Sequence, residues 1–153
     1  METSINNLDY LVEFGAGYGS MCRLFRQLGF KGKYVLFDLP HFSLLQSFYL
    51  NGIGLKGTCI SDMDELKQII SNEVNENSMF LSTWALSETP ISLRDKLIDS
   101  YQKFSYFLFA YQDNFSGNDN KEYFTKLSSN IIANWKHFKI EHMSDSSYLF
   151  GKR

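Results

Sequence analysis

Apolar and polar positions alternate along the chain in two rhythms. Short runs of apolar residues, such as Tyr10-Leu11-Val12-Glu13-Phe14 and Tyr34-Val35-Leu36-Phe37, have the length and content of buried strands. Between them lie segments with apolar residues at helical spacing, such as Met21, Leu24, Phe25 and Leu28. The pattern predicts strands over Tyr10–Phe14, Lys33–Asp38, Lys56–Ser61, Ser78–Trp84 and Tyr106–Tyr111. The first helix ends at Gly29. Pro40 opens the second, with His41, Leu44, Leu45, Phe48 and Tyr49 expected on its inward face. Ser61 and Asp62 can cap the third, which turns Met63, Leu66, Ile69 and Ile70 inward. Ser92 with Asp95 reads as a capping box for a helix carrying Leu93, Leu97 and Tyr101. Asp119 with Glu122 opens a last helix, with Tyr123, Phe124, Leu127 and Ile131 inward. Runs over His137–Met143 and Ser147–Lys152, joined by Ser144-Asp145-Ser146, predict an antiparallel hairpin.

Five β-α units and a closing hairpin imply an α/β fold: a Rossmann-like three-layer sandwich, its seven-stranded sheet mostly parallel, with a C-terminal antiparallel hairpin. The 153 residues are enough for one domain, here expected to span 1–153 without an evident cap domain. An open sheet of this kind binds ligands at the carboxyl ends of its strands. Those ends are therefore where candidate chemistry is sought.

The first strand runs into Glu13-Phe14-Gly15-Ala16-Gly17-Tyr18-Gly19. Glycines there accept positive φ and let a ligand approach the backbone. The spacing is G-x-G-x-G, not the G-x-G-x-x-G of a dinucleotide turn, and Glu13 would repel a pyrophosphate. This argues against a nicotinamide-dependent oxidoreductase and suits a ligand with a cationic end. Asp38 ends the second strand, where a carboxylate can accept both hydroxyls of a ribose. Asp62 follows the third and could accept from an exocyclic purine amine. Each has an ordinary alternative: a turn, an acid before Pro40, a helix cap. Together, at successive strand ends, they match a ligand with an ammonium, a ribose and an adenine: S-adenosylmethionine.

Composition narrows the partners. Fifteen Lys+Arg against 17 Asp+Glu give a formal charge of -2, so a phosphate-binding face for nucleic acid is not expected. Aromatic residues are 16% of the chain, which lets a small domain bury much area. Cys22 and Cys59 form neither a metal pattern nor a disulfide framework, suiting a reducing, cytoplasmic compartment. No apolar run is long enough to span a membrane, and the first seven residues do not read as a secretion signal.

On these motifs the chain, from Tyr10 to Lys152, resembles the class I S-adenosylmethionine-dependent methyltransferases. Phe37-Asp38-Leu39-Pro40-His41 resembles the ribose-binding segment of plant-type small-molecule O-methyltransferases, and Ser61-Asp62-Met63 their adenine-contacting segment. Thr83-Trp84 falls where that group contacts the cofactor after strand four. Trp84-Ala85-Leu86-Ser87-Glu88, taken with the glycine turn, is similar to bacterial sugar O-methyltransferases. The resemblance implies cofactor contacts at Glu13, Gly15, Ala16, Gly17, Tyr18, Gly19, Asp38, Leu39, Asp62, Met63, Thr83 and Trp84, and transfer to a hydroxyl of a small, sugar-like acceptor. The plant-type group's catalytic His is replaced by Ser87, followed by Glu88. Glu88 becomes the first candidate base, or a ligand for a divalent metal, with His41 second and an acid after strand five in Gln112-Asp113-Asn114. The helical region that builds the acceptor pocket in that group is missing. The pocket is therefore open, covered by a homo-oligomer or partner chain, or completed in a longer product. A non-catalytic binding module is the competing reading.

Overall fold

The computed structural model describes residues 5–153. Part of the stretch read for a secretion signal thus lies outside the described residues. The chain forms β1 (Tyr10–Phe14), α1 (Ser20–Gln27), β2 (Lys33–Phe37), α2 (Pro40–Gly52), β3 (Thr58–Ile60), α3 (Met63–Asn72), β4 (Ser78–Thr83), α4 (Ala85–Glu88), α5 (Ile91–Arg94), β5 (Tyr106–Gln112), β6 (Asn114–Phe115), β7 (Asn118–Asp119), α6 (Asn120–Asn130), β8 (Asn134–Lys139) and β9 (Ser146–Lys152). Seven strands make one sheet in the order β3-β2-β1-β4-β5-β9-β8. β1 to β5 are parallel and β9 is antiparallel to both its neighbours. The order reverses between β1 and β4, which opens a crevice at their carboxyl ends.

Two apolar layers hold the sheet. On one face Val12, Phe80, Phe107 and Phe109 pack with Leu66 and Ile70 of α3, Tyr101, and Phe124 of α6. Phe80 meets Tyr101 edge-on at 5.0 Å, and Tyr111 stacks on Phe124 at 4.1 Å. On the other face Leu11, Leu36 and Leu81 pack with Cys22, Phe25 and Leu50 from α1 and α2.

Four local expectations change. The helix expected from Ser92 is replaced by α5 and two 3₁₀ turns, Asp95–Leu97 and Asp99–Lys103, and a separate short α4 precedes them. Thr89 precedes Pro90 and is extended, as the proline ring requires, so no helix runs through. Pro90, not Ser92, is the residue before α5, and no side chain caps it. In α2 the face is different: Gln46 and Leu50 are buried, whereas Leu44 is 75% and Phe48 80% exposed. β8 begins earlier than His137, because Trp135 packs on Phe107 at 5.3 Å. The residues after β5 form an unexpected small hairpin, β6–β7, turned by Ser116 and Gly117 at positive φ.

Candidate functional site

The crevice is built from the loop after β1. Gly15 and Ala16 both donate backbone N–H to the Phe37 carbonyl, and Gly19 donates to Ala16, so the loop is pinned at both ends. Gly15, Gly17 and Gly19 all have positive φ. Gly15 also has no room for a side chain, since a Cβ there would overlap Ala85 after β4. Above Gly17 the space is open: a Cβ would meet nothing within 4 Å.

Asp38 ties the second strand end to this loop. Its Oδ2 accepts the Gly17 N–H at 2.7 Å and its Oδ1 the Leu39 N–H at 2.8 Å. Each carboxylate oxygen retains a second lone pair for a hydroxyl donor. Gln46 of α2 donates Nε2 to the Gly17 carbonyl at 2.9 Å, while its buried Oε1 has no partner. This residue escapes sequence reasoning. Its only signal is an amide lying between apolar helix positions. Tyr18 is exposed and stands edge-on to Tyr49, 5.3 Å between ring centroids.

Glu13 is not at the rim. It is 1% exposed, and its Oε2 accepts the Tyr34 hydroxyl at 2.7 Å. In parallel pairing Glu13 lies opposite Leu36, on the α1 side of the sheet, where Tyr34 also points. Burial pushes its carboxyl up to about 7, against the lowering effect of the Tyr34 hydrogen bond, and the Asp38 charge adds to the rise. Glu13, expected to face a cationic ligand end, is thus a buried carboxyl at the end of β1, bonded to Tyr34.

Asp62 caps α3, its Oδ1 accepting from Asp64 and Glu65 at 2.9 and 2.8 Å. It is exposed, and neither bond uses Oδ2. Leu39, after β2, is exposed, and Met63, after β3, is half-buried. Thr83 ends β4, and Trp84 follows at φ 71, ψ -45, a conformation strained for a residue with a side chain. Its N–H donates to Ala110 at 2.7 Å, and its carbonyl accepts the Ser87 hydroxyl at 2.6 Å. Ser82 fastens the same region, donating to Phe14 and accepting from Leu86. Backbone strain at a strand end, held by such bonds, is frequent in ligand sites.

The candidate bases are less confined. Glu88 is exposed at the end of α4, and His41 is exposed in the first turn of α2, tilted against Phe42 at 4.7 Å. Asp113 is engaged by Lys139 at 2.6 Å. Among the described residues no three His, Cys, Asp or Glu side chains gather to hold a metal ion. A cavity of about 540 Å³ lies apart from the glycine loop, between α5 and α6 with Ile91, Ile98, Tyr123 and Leu127 in its wall.

Arg94 organises the segment between β4 and β5. It is fully buried, and it donates to the Thr89 and Ser87 carbonyls at 2.6 and 2.7 Å and to Asn120 Oδ1 at 2.7 Å. Asn120 in turn donates to the Gln112 carbonyl at 3.0 Å. The segment carrying Glu88 is thus clamped to the end of β5.

No family model matches the sequence, and no curated protein matches it. Solved structures do. An O-methyltransferase family protein from Burkholderia thailandensis superposes with TM-score 0.72 at 9% identity, over 99% of this chain and 53% of that one. The fold is that of the class I methyltransferases. The mitomycin 7-O-methyltransferase MmcR matches 99% of this chain and 50% of its own, with TM-score 0.70 and 11% identity. The Methanococcus jannaschii fibrillarin pre-rRNA processing protein matches 99% and 69%, with TM-score 0.71 and 15% identity. This chain spans about half the length of the two O-methyltransferases. The methyltransferase fold thus serves proteins named for small molecules and for RNA, and by itself does not choose between such acceptors.

Proposed function

We propose that this chain binds S-adenosylmethionine along the carboxyl ends of β1, β2, β3 and β4 and transfers its methyl group to a hydroxyl of a small molecule. The observation that carries the reading is the loop from Gly15 to Gly19, open above Gly17 and tied edge to edge with the Asp38 carboxylate. The donors and acceptors fit that ligand. The spare lone pairs of Asp38 suit two ribose hydroxyls, the second oxygen of Asp62 suits an exocyclic amine, and Leu39 and Met63 offer apolar surface to an adenine ring. Thr83 and the strained Trp84 border the cofactor from the β4 side.

The cofactor supplies an activated methyl on a sulfonium, so the protein mainly aligns donor and acceptor. The methyl passes to the acceptor oxygen, the sulfur keeps the bonding pair, and the hydroxyl proton goes to a base. Glu88, held near the rim by the Arg94 clamp, takes that role, with His41 second. A sugar-like acceptor is supported by the resemblance of Trp84–Glu88 to the sugar-directed group, and a reducing compartment by the free thiols Cys22 and Cys59.

Calorimetry with S-adenosylhomocysteine tests the cofactor reading, and saturable binding is expected. Label transfer from S-adenosylmethionine onto deoxysugars, polysaccharide fragments and RNA then tests the acceptor. Binding without transfer to any of them identifies the non-catalytic module, and transfer to RNA alone removes the small-molecule reading.

A further inference from the structure

We propose that Gln46 is a positioning residue for the glycine loop: it fixes the Gly17–Tyr18 peptide in the orientation that receives the amino-acid end of the cofactor, a ligand that rests on the S-adenosylmethionine reading proposed above. Nothing local fixes that peptide. Gly17 has φ 56, and a glycine exchanges such a conformation for others at little steric cost. Packing does not hold it either, since a Cβ there would meet nothing within 4 Å. The two peptides that flank Gly17 are instead held by side chains from the start and the middle of the 38–46 segment. Asp38 Oδ2 accepts the Gly17 N–H at 2.7 Å, and Gln46 Nε2 donates to the Gly17 carbonyl at 2.9 Å. Asp38 by itself restrains only the first of these peptides and leaves rotation about the Gly17 ψ free. Gln46 restrains the second.

The consequence lies on the other edge of that peptide. A trans peptide carries its C=O and N–H on opposite edges, and no peptide among the described residues is cis. With the carbonyl drawn to the buried Gln46, the Tyr18 N–H points away from it. The N–H groups of Gly15, Ala16, Gly17 and Gly19 all bond within the protein, whereas that of Tyr18 has no acceptor among the described residues. A carboxylate is the natural acceptor for it, and the amino-acid end of S-adenosylmethionine carries one. Rotated the other way, the peptide would set the Gly17 carbonyl against that carboxylate, acceptor facing acceptor.

The choice of an amide at position 46 has no ready explanation in packing. Gln46 is 0% exposed, one turn before the buried Leu50. Its Oε1 is buried without a partner. An unmet buried acceptor costs stability, and methionine fills a similar volume without that cost. Reversing the amide would bring Oε1 onto the Gly17 carbonyl, so only one orientation serves the loop. A residue kept for the fold alone would weaken the fold when its amide is removed. A residue kept for the loop leaves the fold as stable, or more so, and loosens the loop.

The test uses the 153-residue chain with Gln46→Met and, as a second apolar variant, Gln46→Leu. Without ligand, both are expected to exchange the Gly17 and Gly19 amides roughly tenfold or more faster by NMR, while the amides of β1 and β2 keep their rates and the melting temperature does not fall. With ligand, calorimetry is expected to show S-adenosylhomocysteine weakened roughly tenfold, and 5′-methylthioadenosine, which lacks the ammonium and the carboxylate, weakened less than about twofold. Unchanged exchange at Gly17 overturns the proposal. So does equal weakening of the two ligands. A lowered melting temperature with faster exchange throughout β1 and α2 marks a structural role and overturns it as well. If the parent protein does not bind S-adenosylhomocysteine, the cofactor reading falls, and Gly17 exchange still decides whether Gln46 sets the loop.

Discussion

Glu13 shows how one side chain links the site to the stability of the fold. Its carboxyl is raised to about 7 mainly by burial. A carboxyl raised above its unfolded value of about 4.3 binds more protons in the folded state between those two pH values. Stability therefore falls as pH rises through that window, by an amount on the order of 4 kcal/mol at most. Glu13→Gln keeps an oxygen for the Tyr34 hydroxyl and carries no charge. Urea unfolding at pH 5 and pH 8 is expected to show a smaller difference for the variant than for the parent protein. At Asp38, replacement by Ala removes the acceptor of the Gly17 N–H along with the proposed ribose contact. Binding of S-adenosylhomocysteine is expected to weaken by about 1–3 kcal/mol, the scale of charge-assisted hydrogen bonds, as read by calorimetry. Glu88→Gln is expected to leave that affinity in place and lower turnover, as read by label transfer once an acceptor is found. Asp38 and Asp62 were visible in the sequence because chain order places each directly after a predicted strand. Gln46 was not, because its partner, the Gly17 carbonyl, is 29 positions away along the chain.

Among the elements, the short pieces between β4 and β5 depend on a single buried cation. Arg94 donates its hydrogen bonds to neutral acceptors. Backbone carbonyls, Asn120 and the Tyr123 ring at 4.8 Å surround it. Arg94→Met leaves those carbonyls without donors. A loss of about 2–5 kcal/mol is expected in a denaturation experiment, with faster amide exchange over α4 and α5. The capping-box pattern at Ser92 misled because α5 already begins at Ile91, directly after Pro90, and gives way to 3₁₀ turns from Asp95, with Arg94 bonded back to the Ser87 and Thr89 carbonyls. In α2 the period was right but the face was not. Pro40–Gly52 contains no charged residue, so hydrophobicity marks no outer side. The Gln46 contact and Leu50 packing select which side is buried.

The whole molecule is uneven in its cover. β1 and β4 lie in the middle of the sheet with apolar packing on both faces, whereas β3 has three residues at one edge and β8 is exposed over most of its length at the other. Native-state hydrogen exchange is expected to be slowest in β1, β4 and β5 and fastest among strands in β3 and β8. Comparable protection at both edges and centre would contradict this gradient.

The alternation of strand and helix periods, the glycine turn and the terminal hairpin determined the architecture from sequence alone, because each is a local consequence of side-chain spacing and backbone freedom. The acids at strand ends came with them, since topology turns chain order into spatial order along the rim. Only the tertiary structure decided that Glu13 is buried and bonded to Tyr34, that α2 shows Leu44 and Phe48 to solvent, and that Arg94 joins two rim segments. Those outcomes are set by which surfaces meet across the fold, and a one-dimensional pattern carries periods but not partners.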